Sequence, residues 1–367
     1  MLSFTCDRTQ LLAAINIVSK AVSTRTTLPI LVCVLIKTYE NGFKLTGNDL
    51  EMGIETALID AKVEGQGEIA LDAKLFGDIV RRVNGDEISL VAGEKNAITL
   101  TSGTSQFQLM GQDGSEFPSL PQVEQVSYVS VKEQDFKALI TETIFSVSMD
   151  ESKPVLNGEL MEIQNGQMSL VAVDGYRISY RKCEAKTTDQ AQKAIIPAKT
   201  LREIAKILRD SEEEMHIYLT EKHALFDISG NLVISRLIEG EYIKYEQTFT
   251  TDYKTKVVAN RTDLISALER ATLVSRDARK VPVKLEITDG KMTLLSSTEI
   301  GSAHEELYLS TEGNELQIAF NPRYCIEALR AVEEEEVAIF FHSSLSPCII
   351  KAEEGDWYKY LILPLRL

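Results

Sequence analysis

Cysteine is scarce in this chain and poorly placed for cross-links. Five of 367 residues are cysteine (Cys6, Cys33, Cys183, Cys325 and Cys348), an odd number with no C-x-x-C pair. That argues against a disulfide framework and against a zinc site, and it fits a protein kept in a reducing cytoplasm. Histidine is scarcer still. His216, His223, His304 and His342 fall in alternating strand patterns without an acidic or cysteine partner at ligand spacing, so each reads as structural or surface. No P-loop, G-x-S-x-G or H-E-x-x-H occurs, and Gly65–Glu68 (GQGE) lacks the third glycine and the following helix of a dinucleotide fingerprint. The longest apolar run, Leu28–Ile36, is half the length of a membrane span and reads as a buried strand. The opening MLSFTCDRTQ shows no charged region leading into an apolar stretch, so no signal peptide is expected. Positive charge is also in deficit: 39 Lys and Arg face 55 Asp and Glu, for a formal charge of −16. A body this acidic repels phosphate, so binding nucleic acid demands a local basic surface.

What the chain has in abundance is repetition. An apolar helix pattern opens each of three copies: LLAAINIVSKAV from Leu11, DFKALITETIFSV from Asp135 and DLISALERATLV from Asp263. A strand–turn–strand pattern follows, centred on Asn41-Gly42, Asn165-Gly166 and Asp289-Gly290, turn pairs of the type I′ kind. A second helix closes the copy: DAKLFGDIVRRV from Asp72, PAKTLREIAKIL from Pro197 and NPRYCIEALRAV from Asn321. Successive turn glycines are 124 residues apart. A period this long is domain-sized and means three similar domains rather than a solenoid. Between the helices, period-two alternation as in FKLTGND from Phe43 and HIYLTEK from His216 predicts antiparallel sheet. The fold expected is α+β, three repeated domains of two helices packed on antiparallel sheet. Polar stretches at Leu120–Ser127 and Thr248–Thr255 place the domains at 1–124, 125–252 and 253–367.

Charge is unevenly spread. The second helices carry Lys74, Arg81 and Arg82; Lys199, Arg202, Lys206 and Arg209; and Arg323 and Arg330, so each is net positive in an acidic chain. One positive helix surface on a repulsive body is implied, with ordinary helix-surface scatter as the plain alternative.

LPIL (Leu28–Leu31), LTGNDLEM (Leu45–Met52), VDGYRIS (Val173–Ser179), FNPRY (Phe320–Tyr324) and the terminal LPLRL from Leu363 together resemble the bacterial DNA polymerase III beta subunit, the sliding clamp family. The resemblance runs through all three copies. It implies a head-to-tail homodimer closing a six-domain ring around duplex DNA, with helices lining the hole and sheets outside. It implies a non-catalytic processivity factor without cofactor or metal, cytoplasmic and with no membrane partner. Its partners would be sequence-independent duplex DNA, the DNA polymerase III alpha subunit, the clamp loader and other proteins carrying clamp-binding motifs. A divergent clamp paralogue serving a specialised polymerase or repair pathway would share these features.

The resemblance also implies site residues. Arg25, before TLPIL, matches a position associated with DNA contact, and the helix cations named above become candidates for the lining of the hole. Phe107 and Leu109 would meet Leu273 and Val274 at the dimer interface, with intradomain core as the plain alternative. A partner-peptide pocket would use Leu156, Val173, Gly175, Tyr176, Arg177, Ile178, Leu361, Leu363, Pro364, Leu365 and Arg366. Ile178 and Leu361 also fit plain core. The chain departs from the family in that pocket: Ile243 stands where proline is usual, Lys244 for aspartate, Gln247 for a frequent arginine, Val173 for threonine and Tyr176 for histidine. A greasier pocket, less able to fix polar peptide groups, is expected.

Overall fold

Helices form where the apolar spacing is closest to 3.6 residues. In the computed structural model they are α1 (Arg8–Val18), α2 (Ala73–Arg82), α3 (Glu133–Thr141), α4 (Ala198–Ala205), α5 (Arg261–Thr272) and α6 (Pro322–Ala331). The structure describes residues 1–23, 26–187, 191–250, 252–274 and 281–366. Four helices start on a short polar cap at the end of a strand. Asp7, Asp72, Asn260 and Asn321 each accept a backbone N–H from the first turn, satisfying donors the helix cannot. The threefold repetition is written in the backbone too. The first residues of α1, α3 and α5 donate their N–H to the carbonyls of Asp86, Glu213 and Glu335 at 2.8, 2.9 and 2.8 Å.

The turns are less uniform than their sequence. Asn165 and Gly166 both take positive φ (53° and 74°), as a type I′ hairpin requires; at Asp289-Gly290 only the glycine does, and at Asn41-Gly42 neither does. Gly42 answers a different demand: a Cβ there would meet the Ile59 carbonyl oxygen at 2.2 Å. The run Leu28–Ile36 is not one strand. Pro29, lacking an N–H to donate, opens a 3-10 turn over Pro29–Val32, and strand begins at Cys33.

The chain gathers into two compact units. The first holds Met1–Glu133 and Lys206–Leu237. Its larger sheet has eleven strands, and there Asn231–Arg236 pairs antiparallel with Met52–Glu55. Its smaller sheet has five strands and ends on Ser105–Met110, hydrogen-bonded along one side to Ala97–Ser102. The second unit holds Gln134–Lys186, Gln190–Ala205 and Ile238–Leu367. Its nine-stranded sheet joins Arg177–Glu184 to Tyr358–Ile362, and its four-stranded sheet ends on Gly301–Tyr308. Under α5 and α6 the core is built from Leu264, Leu268, Phe320, Leu329, Phe341, Tyr358 and Tyr360. Each such side chain contributes about 1.5 to 3 kcal/mol by leaving water.

Two carboxyls, Glu142 and Glu159, are buried inside the second unit. Glu159, on the strand Gly158–Gln164, accepts from the Thr143 hydroxyl at 2.7 Å, and its other oxygen has no partner among the described residues. Burial pushes its carboxyl up to about 8, against weaker pulls from the Thr143 hydrogen bond and the charge of Arg202. The folded unit therefore keeps a proton that the unfolded chain has lost. Stability is full below the usual glutamate range and falls as pH rises from about 4.5 toward about 8. Calorimetric melts should show the melting temperature dropping across that window. Burial pushes the Glu142 carboxyl up to about 8 as well, so Glu159→Gln should remove only part of the drop, and an unchanged slope would assign all of it to other groups.

Candidate functional site

Alternation along three neighbouring strands of the nine-stranded sheet turns one set of apolar side chains to the same face. Val173 stands opposite Ile178, and Ile178 opposite Leu361. With Leu156, Leu160, Val171, Ile195 and Tyr245 they form a buried apolar cluster, against which Val155, Tyr180, Ile238, Tyr242 and Phe249 pack part-exposed. Two tyrosines fix its floor. The Tyr242 hydroxyl donates to the Val171 carbonyl at 3.1 Å, and the Tyr245 hydroxyl donates to Glu162, which Lys193 also holds. Burial raises both phenols well above their ordinary range, so they act as neutral donors.

The rim is built by the turn after Val173. Asp174 accepts the N–H groups of Tyr176 and Arg177 at 2.9 and 3.1 Å, and Gly175 supplies the φ of +92° this tight turn needs. Tyr176 stands 60% exposed and stacks on Tyr324 with ring centres 6.3 Å apart. Arg177 points the other way. Its guanidinium is buried, donating to Asp174 at 2.9 Å, to Glu327 at 2.5 Å and to the Phe145 carbonyl at 2.5 Å, and lying 4.4 Å from the Tyr324 ring centre. These contacts brace the turn that carries Tyr176.

The residues after Ile362 are tied down by backbone hydrogen bonds. The Leu363 N–H donates to the Tyr176 carbonyl at 2.9 Å and the Leu365 N–H to the Ala319 carbonyl at 2.8 Å. Held this way, Leu363 and Leu365 remain 41% and 40% exposed, on either side of Pro364 and beside exposed Arg366. Ile243 and Gln247 are exposed on the segment that carries Tyr242 and Tyr245. The pocket residues read from the sequence thus divide. Ile178, Leu361, Leu156 and Val173 are buried floor, Arg177 is a brace, and Tyr176, Leu363 and Leu365 are accessible.

The basic helix residues divide as well. Arg81 pairs with Asp78 at 3.1 Å, Arg323 with Glu327 at 2.7 Å and Arg330 with Glu269 at 2.6 Å. Lys74, Arg82, Lys199 and Lys206 are exposed, Arg202 is half-buried, and Arg25 lies outside the described residues. Arg209 differs most. The helix pattern runs on to Leu208, but α4 ends at Ala205, and the turn beyond it aims Arg209 at Glu133, which is 0% exposed. The Glu133 carboxylate accepts from the Arg209 backbone N–H at 2.9 Å and its guanidinium at 2.8 Å. Burial alone would raise this carboxyl, but the hydrogen bonds from Arg209 outweigh it and hold it below its ordinary range. Removing Arg209 strands a buried charge, so its loss disturbs the fold before it reports on any ligand.

Family models for the DNA polymerase III beta subunit match almost end to end: the N-terminal domain over residues 2–121, the central domain over 130–244 and the C-terminal domain over 246–366. The chain belongs to the DNA polymerase III beta subunit family, the sliding clamps. It is 35% identical to the beta sliding clamp of Staphylococcus epidermidis, with both chains covered completely. A putative beta subunit from Eubacterium rectale superposes with a TM-score of 0.95 at 40% identity over all of both chains. The Bacillus subtilis DNA polymerase sliding clamp gives 0.96 at 31% identity, over all of this chain and 99% of that one.

Three clamp domains are therefore present in a chain that gathers into two compact units, and strand pairing accounts for the difference. Strand Asn231–Arg236, inside the central-domain match, continues the sheet of the N-terminal match, while Arg177–Glu184, also central, continues that of the C-terminal match. Both units also expose a sheet edge. On Ser105–Met110, Phe107 and Leu109 stand opposite buried Leu100 and Ile98, yet Phe107 is 36% exposed. At the end of α5, Leu273 is 77% exposed, and the neighbouring Val274 carbonyl accepts from Thr298 at 2.7 Å, beside the edge strand Gly301–Tyr308. Sequence reading missed Leu160, Ile195, Tyr242, Tyr245 and Phe249 in the hollow. The alternation of GELMEIQ and QKAIIP contained a signal for the first two; nothing local marks the tyrosines.

Proposed function

We propose that this chain is the processivity clamp of a replicative DNA polymerase, working in the cytoplasm. Two copies join head to tail through their exposed sheet edges into a six-domain ring around duplex DNA. The lining is weakly basic, drawn from Lys74, Arg82, Lys199, Arg202 and Lys206 with the ion-paired Arg81, Arg323 and Arg330. A weak, sequence-blind lining suits a sliding ring. Closure prevents escape, so the grip on phosphate need not be tight and does not brake movement. The hollow of Leu156, Val173, Ile178 and Leu361, walled by Leu363 and Leu365, takes short apolar-anchored peptides from the polymerase alpha subunit, the clamp loader and other clamp-binding proteins. No helix among the described residues is long and apolar enough to cross a membrane.

The single observation supporting this reading most strongly is membership of the clamp family along the whole chain, in a protein whose strands Ser105–Met110 and Gly301–Tyr308 each end a sheet among the described residues. The test couples mass to topology. The protein should run at twice 40.9 kDa, remain on circular DNA after loading and leave when the circle is cut. Neutralising Lys74, Arg82 and Lys199 should weaken association and flatten its salt dependence by about 0.9 in slope for each phosphate no longer neutralised. Equal retention on linear and circular DNA would sink the ring.

A further inference from the structure

The apolar hollow does not end at Leu361. Leu361 stands opposite Ile349, and Ile349 opposite Phe340. Directly opposed residues share a face, so Val173, Ile178, Leu361, Ile349 and Phe340 form one apolar row five strands wide. The next row on that face runs Tyr180, Lys359, Lys351. At the far end of these rows lies a cavity of about 270 Å3, walled by Phe249 and Tyr253, floored by Phe340 and Ile349 and bordered by Lys351 and Lys359. Phe249 packs against both the hollow and the Phe340–Ile349 cluster, so hollow and cavity share a wall.

The chemistry of this cavity is cationic and aromatic in a chain of charge −16. Lys351 Nζ lies 4.6 Å from the Phe340 ring centre, and Lys359 Nζ 5.8 Å from that of Tyr180. The cavity's own carboxylates take other partners. Asp356 pairs with Lys182 at 2.8 Å and feels Lys359 and Lys351 only as weaker, more distant charges, and Asp252 lies 3.4 Å from His342. Two lysines lying over rings, beside an apolar slot, complement an acidic residue next to an apolar one.

We infer that this cavity is a second half of the peptide site, taking an apolar-acidic flank of the same docked peptide. The apolar side chain enters between Phe249 and Tyr253, and the carboxylate meets Lys351 and Lys359. The inference rests on the peptide reading of the hollow. Two strand spacings separate Leu361 from Phe340, roughly 10 Å, which about three extended residues span. The flank therefore begins about three residues beyond the anchors.

Calorimetry on the full-length protein tests this with synthetic peptides. The core peptide carries two leucines and a phenylalanine as anchors; derivatives add Gly-Gly-Phe-Glu or Gly-Gly-Phe-Lys at either end. The Phe-Glu extension at one end should raise affinity about tenfold, as expected for one buried ring edge and exposed charge pairs, and the Phe-Lys extension should gain much less. Lys351→Glu with Lys359→Glu should cancel the gain while leaving the core peptide unchanged. If charge reversal compromises folding, Lys351→Gln with Lys359→Gln reads the same loss. A core peptide that binds while neither extension gains, or a gain that survives the lysine changes, overturns this inference alone. A core peptide that does not bind overturns the peptide reading with it.

Discussion

Leu273→Ala combined with Val274→Ala should convert a dimer into a monomer at micromolar concentration. Leu273 is 77% exposed at the end of α5, an unfavourable position for a leucine unless another surface covers it. Beside it Arg270 donates to Glu305 at 2.6 Å, fastening α5 to the strand Gly301–Tyr308, whose outer edge has no strand neighbour among the described residues. The first unit offers the complementary element in Ser105–Met110, another open edge, with Phe107 exposed and Leu109 half-buried. Two different edges on one chain make a heterologous contact, and two such contacts close a two-membered ring without leaving aggregation-prone strands open. Truncating two apolar side chains costs each interface about 3 kcal/mol, and reaching monomer requires breaking both. The dissociation constant should rise by about a thousandfold or more. Sedimentation velocity reads this directly, and an unshifted profile would place the interface elsewhere.

The helices were legible because their apolar period is locally determined and their caps, Asp72 and Asn321 among them, are single residues with one job. The threefold repeat was legible for the same reason. Long-range consequences were not. Nothing in PAKTLREIAKIL says that α4 stops at Ala205 and hands Arg209 to a buried carboxylate from another segment, since Glu133 lies 76 residues away. The resemblance places Arg177 in the pocket, yet Asp174, Glu327 and the Phe145 carbonyl claim its guanidinium, and two of these come from distant parts of the chain. The Asn-Gly pairs mark turns correctly, but whether a glycine serves a type I′ hairpin or the close approach of Ile59, as at Gly42, depends on a strand the pair does not specify. The resemblance names the candidate residues; pairing register and burial sort them into buried, bracing and accessible ones.

Deleting Pro364–Leu367 should cost the hollow most of its peptide affinity without loosening the ring. The buried floor, Ile178 and Leu361 with Val173, lies before the cut and is held by strand pairing, so the sheet survives. What goes is the bond from the Leu365 N–H to the Ala319 carbonyl at 2.8 Å, which leaves Leu363 held by its single N–H bond to the Tyr176 carbonyl at 2.9 Å. Leu363 and Leu365 are tied down by backbone hydrogen bonds to Tyr176 and Ala319, so on the proposed reading they offer a docked peptide a fixed apolar surface. Leu363 and Leu365 are 41% and 40% exposed, so a docked peptide can still bury most of the rest of both. Removing Leu365 and leaving Leu363 on one hydrogen bond, at the centre of a small interface, costs about 2 to 3 kcal/mol, or roughly a hundredfold in affinity. Because Gln247 and Val173 stand where the resemblance implies an arginine and a threonine, little polar interaction remains to compensate, and a micromolar affinity should fall below calorimetric detection. Dimer mass and retention on circular DNA should match the full-length protein, since neither edge strand nor basic helix is touched. Full-strength peptide binding by the truncated chain would locate the partner site away from this hollow.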